Sequence, residues 1–148
     1  MRRMGSWRDT ATQEAQDDLD ALLELTLPFA QQQLGGHGEF YPFAAAVDAD
    51  GTPTLIGADP GQGDRPASSD VLDTLIGALQ DQAAVLRAAA LVADVRVRES
   101  DAVRVELEHR DGHAIVVLLP YRRKRLRRGV DYGELRAGSG QPHIWVNA

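Results

Sequence analysis

The period at which apolar residues recur changes along this chain, and each change marks an element. Leu19, Leu22, Leu23, Leu27, Ala30 and Leu34 recur at helical spacing, with Asp17, Asp18, Asp20 and Glu24 on the other side. Thr10 or Thr12 supplies the hydroxyl that a helix start needs as its N-cap, and Gly35-Gly36 reads as the stop. Pro28 lacks an N–H and its ring crowds the carbonyl of Glu24. The reading there is a kink, or a second helix beginning on Thr26 as cap. Residues 1–9 read as a flexible N-terminus.

Two short apolar runs in FYPFAAAVDADGTPTLIGA, residues 40–58, flank Ala49-Asp50-Gly51. This pattern predicts a hairpin with a three-residue loop and Gly51 left-handed. ADPGQGDRPASS is loop by composition. Ser69 or Asp70 then caps a second helix with Val71, Leu72, Leu75, Ile76, Leu79, Ala83 and Leu86 as its apolar stripe. From Ala89 the period becomes two: Leu91, Ala93, Val95 and Val97 oppose Asp94, Arg96 and Arg98. Val103, Val105 and Leu107 then oppose Arg104, Glu106 and Glu108.

The turn at Arg110-Asp111-Gly112 sets the register of the next pair. A three-residue loop with Gly112 left-handed pairs His109 with His113, Leu107 with Ile115 and Val105 with Val117, which puts all apolar partners on one face. Ala114 to Leu119 is apolar on both faces, as in a central strand covered on each side. GVDYGELRAGSGQ reads as loop and HIWV as a possible last short strand. The expected architecture is α+β: one antiparallel sheet of about five strands with two main helices packed on it, order α-β-β-α-β-β-β, in a single domain spanning 1–148.

That order is similar to the roadblock and profilin-like folds, a resemblance of topology. It implies a dimeric adaptor, as roadblock-like proteins commonly are. FYPFAAAVDADG and VELEHRDGHAIVVLLPYR also resemble segments of small uncharacterised bacterial proteins, a resemblance that brings no activity with it.

Composition narrows the chemistry. The chain has no Cys, which excludes disulfides and a thiolate nucleophile or metal site. The N-terminus has no apolar h-region behind its arginines, and no run approaches the ~20 apolar residues of a membrane span. A cytoplasmic protein without membrane contact is the expectation. Lys124 is the sole lysine among 16 basic residues, and with so much Ala this points to a GC-rich genome.

Charge changes the picture at one place. Six of the seven residues Arg122–Arg128 are cationic, while the other 10 basic and 22 acidic residues leave −12 elsewhere. Clustered arginines fork onto phosphates, but only Tyr121 and Tyr132 stand nearby to stack on bases. The tract also suits an acidic protein surface, in a partner or in the helix bearing Asp9, Glu14, Asp17, Asp18, Asp20 and Glu24. As a third reading, its cations simply keep a strand edge from pairing. The candidate contact residues for a partner or anion are Tyr121, Arg122, Arg123, Lys124, Arg125, Arg127 and Arg128.

Other motifs carry less. His109 and His113, facing each other across the hairpin, are weak metal-ligand candidates that lack a third ligand, to be supplied by His37, His143 or a carboxylate. As turn-flanking residues they read as solvent-exposed. Asp48 and Asp50 start like a calcium loop, but Pro53 stands at its sixth place and Asp59 at its twelfth. DPGQGDRP lacks the ending of a P-loop, and Ser68 and Ser69 suit capping better than nucleophilic attack. Glu106 and Glu108 share a strand face and read as a solvated surface. The resulting expectation is a small non-enzymatic interaction module without cofactor, homodimeric or bound to another protein, with anion or nucleic-acid binding through the tract as the alternative.

Overall fold

A computed structural model describes residues 6–57, 68–127 and 129–146. Helix α1 spans Ser6–Thr10 and α2 spans Gln13–His37. Strands β1 (Phe43–Asp48) and β2 (Pro53–Ile56) precede helix α3 (Ser68–Asp81). After one 3-10 turn come β3 (Leu86–Val97), β4 (Ser100–His109), β5 (Ala114–Arg123), β6 (Val130–Tyr132) and β7 (Arg136–Ser139). All pairings are antiparallel, in the order β2-β1-β3-β4-β5-β6, with β7 also on β5.

The α+β class, the single antiparallel sheet and the order of the first seven predicted elements hold. The sheet has seven strands because β6 and β7 form in the segment read as loop. Neither has an alternating pattern; each exists because β5 offers it a free row of backbone groups. Gly133 N–H donates to Pro120 O at 2.8 Å and Gly140 N–H to Ala114 O at 3.0 Å, extending the two pairings. A Cβ at Gly140 would sit 2.9 Å from the Ile115 carbonyl carbon, so only glycine allows that approach. The segment HIWV, expected as a strand, lies off the sheet edge as a strap across one face.

Thr12 is the N-cap of α2, its side chain accepting the Ala15 N–H at 3.0 Å. The helix continues through Pro28 and is not split at Thr26, whose hydroxyl instead donates to Leu22 O at 2.8 Å inside the core. Pro28 and Glu24 are both exposed, so the carbonyl freed by the proline faces water. The stop is Gly38 and not Gly35-Gly36: Gly38 takes φ 79°, and its N–H reaches Leu34 O. Residues 6–9, read as flexible, belong to α1, which Arg8 ties to Asp20 by two bonds of 2.7 and 3.1 Å. Helix α3 starts at Ser68, so Ser69 and Asp70 lie in its first turn. The stretch DPGQGDRP and Arg128 lie outside the described residues.

Both loop predictions hold. Gly51 has φ 86° and Gly112 φ 103°, and the second hairpin pairs Leu107 with Ile115 and Val105 with Val117. That register places Phe43, Ala45, Val47, Ala88, Ala90, Val92, Val103, Val105, Leu107, Ile115, Val117, Leu119 and Tyr121 on one face, under α2. Phe43 meets the edges of Phe29 and Phe40 there, at 5.0 and 5.7 Å. The opposite face is shared. Helix α3 covers Ala44, Ala46, Ala89 and Leu91, and Ile144 of the strap joins that cluster. The strands buried on both faces are β1 and β3. Strand β5, expected to be covered on each side, is flanked by partners but buried only on the α2 side.

Candidate functional site

The described structure gathers charge in three places. The first lies between α2 and the β4–β5 hairpin. Arg87 donates to Asp18 through Nε at 3.1 Å and Nη2 at 2.7 Å. His109 Nε2 lies 3.0 Å from the same carboxylate. Asp111 N–H donates to His109 Nδ1 at 3.2 Å, and the Asp111 carboxylate lies 3.3 Å from the same nitrogen. Glu14 closes the group through Arg110 at 3.2 Å. His109 is 1% exposed and Asp18 4%, which corrects two readings. His109 flanks a turn yet lies in the core, because its strand position faces α2. Asp18 falls on the edge of the buried helical stripe, four residues before Leu22, and enters the core paired.

The expected pairing of His109 with His113 is present in the backbone, with His109 N–H donating to His113 O at 2.9 Å. The rings diverge. His113 turns outward, with Nδ1 3.0 Å from Asp111 Oδ1 and Nε2 3.1 Å from the Thr10 hydroxyl. Desolvation opposes ionisation of Asp111, but hydrogen bonds from the His113 amide and ring hold its carboxyl below the usual range. His143 lies on the far side of the sheet against Glu106.

Glu14, Asp18 and His109 also place one ligand-type atom each within 4.8 Å of one another. Those atoms already have partners: Arg87 forks onto Asp18, and Arg110 holds Glu14. A cation would first have to displace a guanidinium. Nor can the His–Asp pair pass a proton to a substrate, since its second nitrogen holds a backbone amide and its ring is enclosed. This is a structural ion-pair network joining α2 to the sheet.

The second place is the strap. Glu108 accepts three consecutive backbone amides: His143 at 2.7 Å, Ile144 at 3.0 and 3.1 Å, and Trp145 at 2.7 Å. Gln80 donates to His143 O at 2.8 Å and Trp145 Nε1 to Ala83 O at 3.1 Å. Glu106 meets His143 Nε2 at 2.7 Å. The face read as solvated is therefore occupied, with Glu108 only 4% exposed. The sequence signal was present in HIWV, which is too apolar for a free tail, but not the direction in which it folds.

The third place is the predicted tract, which the structure divides. Tyr121 is in the core at 3% exposure and donates its hydroxyl to Asp94 at 2.5 Å. Burial, then the Asp94 carboxylate, push the Tyr121 hydroxyl far above its usual range. Burial likewise raises the Asp94 carboxyl, against the Tyr121 hydrogen bond and Arg123. Arg123 donates through Nε to Gly38 O at 3.0 Å, closing the end of α2, and pairs with Asp101 at 3.1 Å. It also lies over the Tyr121 ring at 5.3 Å. These two residues hold the fold together.

The rest of the tract is a hairpin tip. Lys124 N–H donates to Gly129 O at 3.1 Å, closing the turn between β5 and β6. Lys124 lies 3.8 Å from Asp131. Arg122, Arg125 and Arg127 are exposed with no ion pair among the described residues, and between the last two Leu126 is 98% exposed. The sequence showed the cations but not that a bare leucine crowns them.

Comparison of the chain with protein-family models, curated proteins and solved structures gives no match in any of the three. Among the described residues no helix is long and apolar enough to cross a membrane.

Proposed function

We propose that this protein is a small non-enzymatic interaction module that docks on an acidic protein surface through the tip of its β5–β6 hairpin. The observation that carries this reading is Leu126, 98% exposed between Arg125 and Arg127. A phosphate backbone has use for the arginines but none for the leucine, whereas a protein surface takes an apolar anchor ringed by charge. A second copy of the chain is one such surface, since outside the tract its residues carry −12. The reading is tested with a photo-crosslinking residue at position 126 in living cells, together with light scattering of the purified chain. Protein adducts, to a second copy or another chain, that vanish in Arg125→Glu/Arg127→Glu are the expected result. Adducts to nucleic acid alone, or none, overturn it.

A further inference from the structure

The α2 side of the sheet is covered along its length, but the other side is not. Helix α3 lies over β1 and β3, and the strap lies over Glu106 and Glu108. Beyond them, toward the β3–β4 turn, an open cavity of about 500 Å³ is lined by Val97, Arg98, Ala102, Leu118, Pro120 and Arg136. A second of about 240 Å³ adjoins it, sharing Ser100 and Pro120 and bordered by Arg122. Together they make one furrow across β3, β4 and β5.

The floor of this furrow has the wrong chemistry for a wet surface. Ala114, Val116, Leu118 and Pro120 all point to this side, so β5 is apolar on both faces. An antiparallel strand with one solvated face alternates apolar with polar residues. A strand apolar on both faces belongs under a cover, and the described elements supply none here. Val97 on β3, two strands away across β4, is 39% exposed.

The rim indicates what the cover is. Arg98, Arg122 and Arg136 stand around the furrow with no ion pair among the described residues, against two carboxylates, Glu99 and Asp131, the second already facing Lys124 at 3.8 Å. In a chain of net charge −6 this is a local reversal of sign, which calls for an anionic occupant. Arg98 also takes φ 58° at the β3–β4 turn, a backbone conformation ordinarily left to glycine. From β3 to β5 is two strand spacings, about 9.5 Å, the width of one helix of about 10 Å diameter. The element already seated on the other half of this face, α3, is an amphipathic helix with Asp70, Asp73 and Asp81 outward and no basic residue.

We infer that the furrow is a docking site for an acidic amphipathic helix of a partner protein, which lies beside α3 and completes the second helical layer. Its apolar stripe covers Val97, Leu118 and Pro120, and its carboxylates meet Arg98, Arg122 and Arg136. The site stands on observations separate from those at the hairpin tip, so either reading can fail without the other.

The test is fluorescence anisotropy of the whole chain with a labelled, helix-stapled peptide of sequence SSDVLDTLIGALQD, and with its counterpart in which every Asp is Lys. Saturable binding of the acidic peptide is expected, at least about tenfold tighter than the lysine form. Val97→Asp, at a side chain already partly in water, and Leu118→Asp should each weaken it by about tenfold or more. Arg125→Glu/Arg127→Glu, at the tip, should leave it unchanged. No saturable binding up to ~1 mM, equal binding of both peptides, or full binding by Val97→Asp overturns the inference. So does a concentration-dependent doubling of mass that Val97→Asp abolishes, which would mean that a second copy covers the face.

Discussion

Asp18, Arg87 and His109 on one side and Arg125, Leu126 and Arg127 on the other are both charged clusters, with opposite fates. The first draws its members from a helix and two strands, encloses them, and matches each carboxylate with a donor. The second is contiguous in sequence, and its side chains end in water. Charges that tertiary structure assembles from afar are partnered, because an unpaired charge in the interior is too costly to persist. Charges that are merely adjacent along a hairpin tip have no such constraint and remain available to another molecule.

The largest effect that would break this contrast is at Asp18. Asp18→Ala leaves Arg87 and His109 without their carboxylate and should lower stability by about 3–5 kcal/mol, read by chemical denaturation. A loss under about 1 kcal/mol would mean that the enclosed cluster is no more constrained than the tip. Glu108→Ala comes next, leaving the amides of His143, Ile144 and Trp145 without their acceptor. A loss of about 1–3 kcal/mol is expected, with Trp145 becoming accessible to a quencher in a Trp7→Phe background.

A smaller effect of opposite sign is expected at Asp94. Burial holds its carboxyl above the ordinary range, so the folded chain binds that proton more tightly than the unfolded chain does. The ionised form therefore costs stability at neutral pH, and the cost disappears as pH falls through the raised value. Asp94→Asn keeps an oxygen for the Tyr121 hydroxyl. It should be more stable than the parent at pH 7 by under about 1 kcal/mol, with the gain shrinking on acidification. An unchanged difference across the acid range would show that burial is not the cause. Smallest is the tip: Arg125→Glu/Arg127→Glu should shift stability by no more than about 0.5 kcal/mol while abolishing the crosslinks from position 126. A large loss of stability there would place the tip with the enclosed cluster.

Much of the fold was legible before the structure. The change of period from helical to alternating located α2, α3 and the strands β1 to β5. Two glycines set the hairpin registers, since a one-residue slip would have turned Leu107 and Val105 to the wrong face. What misled was local. Pro28 looked like a break, but packing of the stripe from Leu19 to Leu34 against the sheet outweighs one lost hydrogen bond. The segment after Gly129 looked like loop, because β6 and β7 carry no periodicity and owe their form to β5.

The candidate site was legible only as composition. The run Arg122–Arg128 announced itself, but nothing local separated Tyr121 and Arg123, which secure the core and the end of α2, from Arg125 and Arg127, which reach into solvent. The sequence by itself determined elements, registers and net charge, because these follow from neighbours in the chain. Tertiary structure alone decided which charges are partnered, where HIWV lies and which half of the sheet stays bare. Those outcomes depend on residues far apart in sequence meeting under one requirement, that whatever leaves water must find its complement.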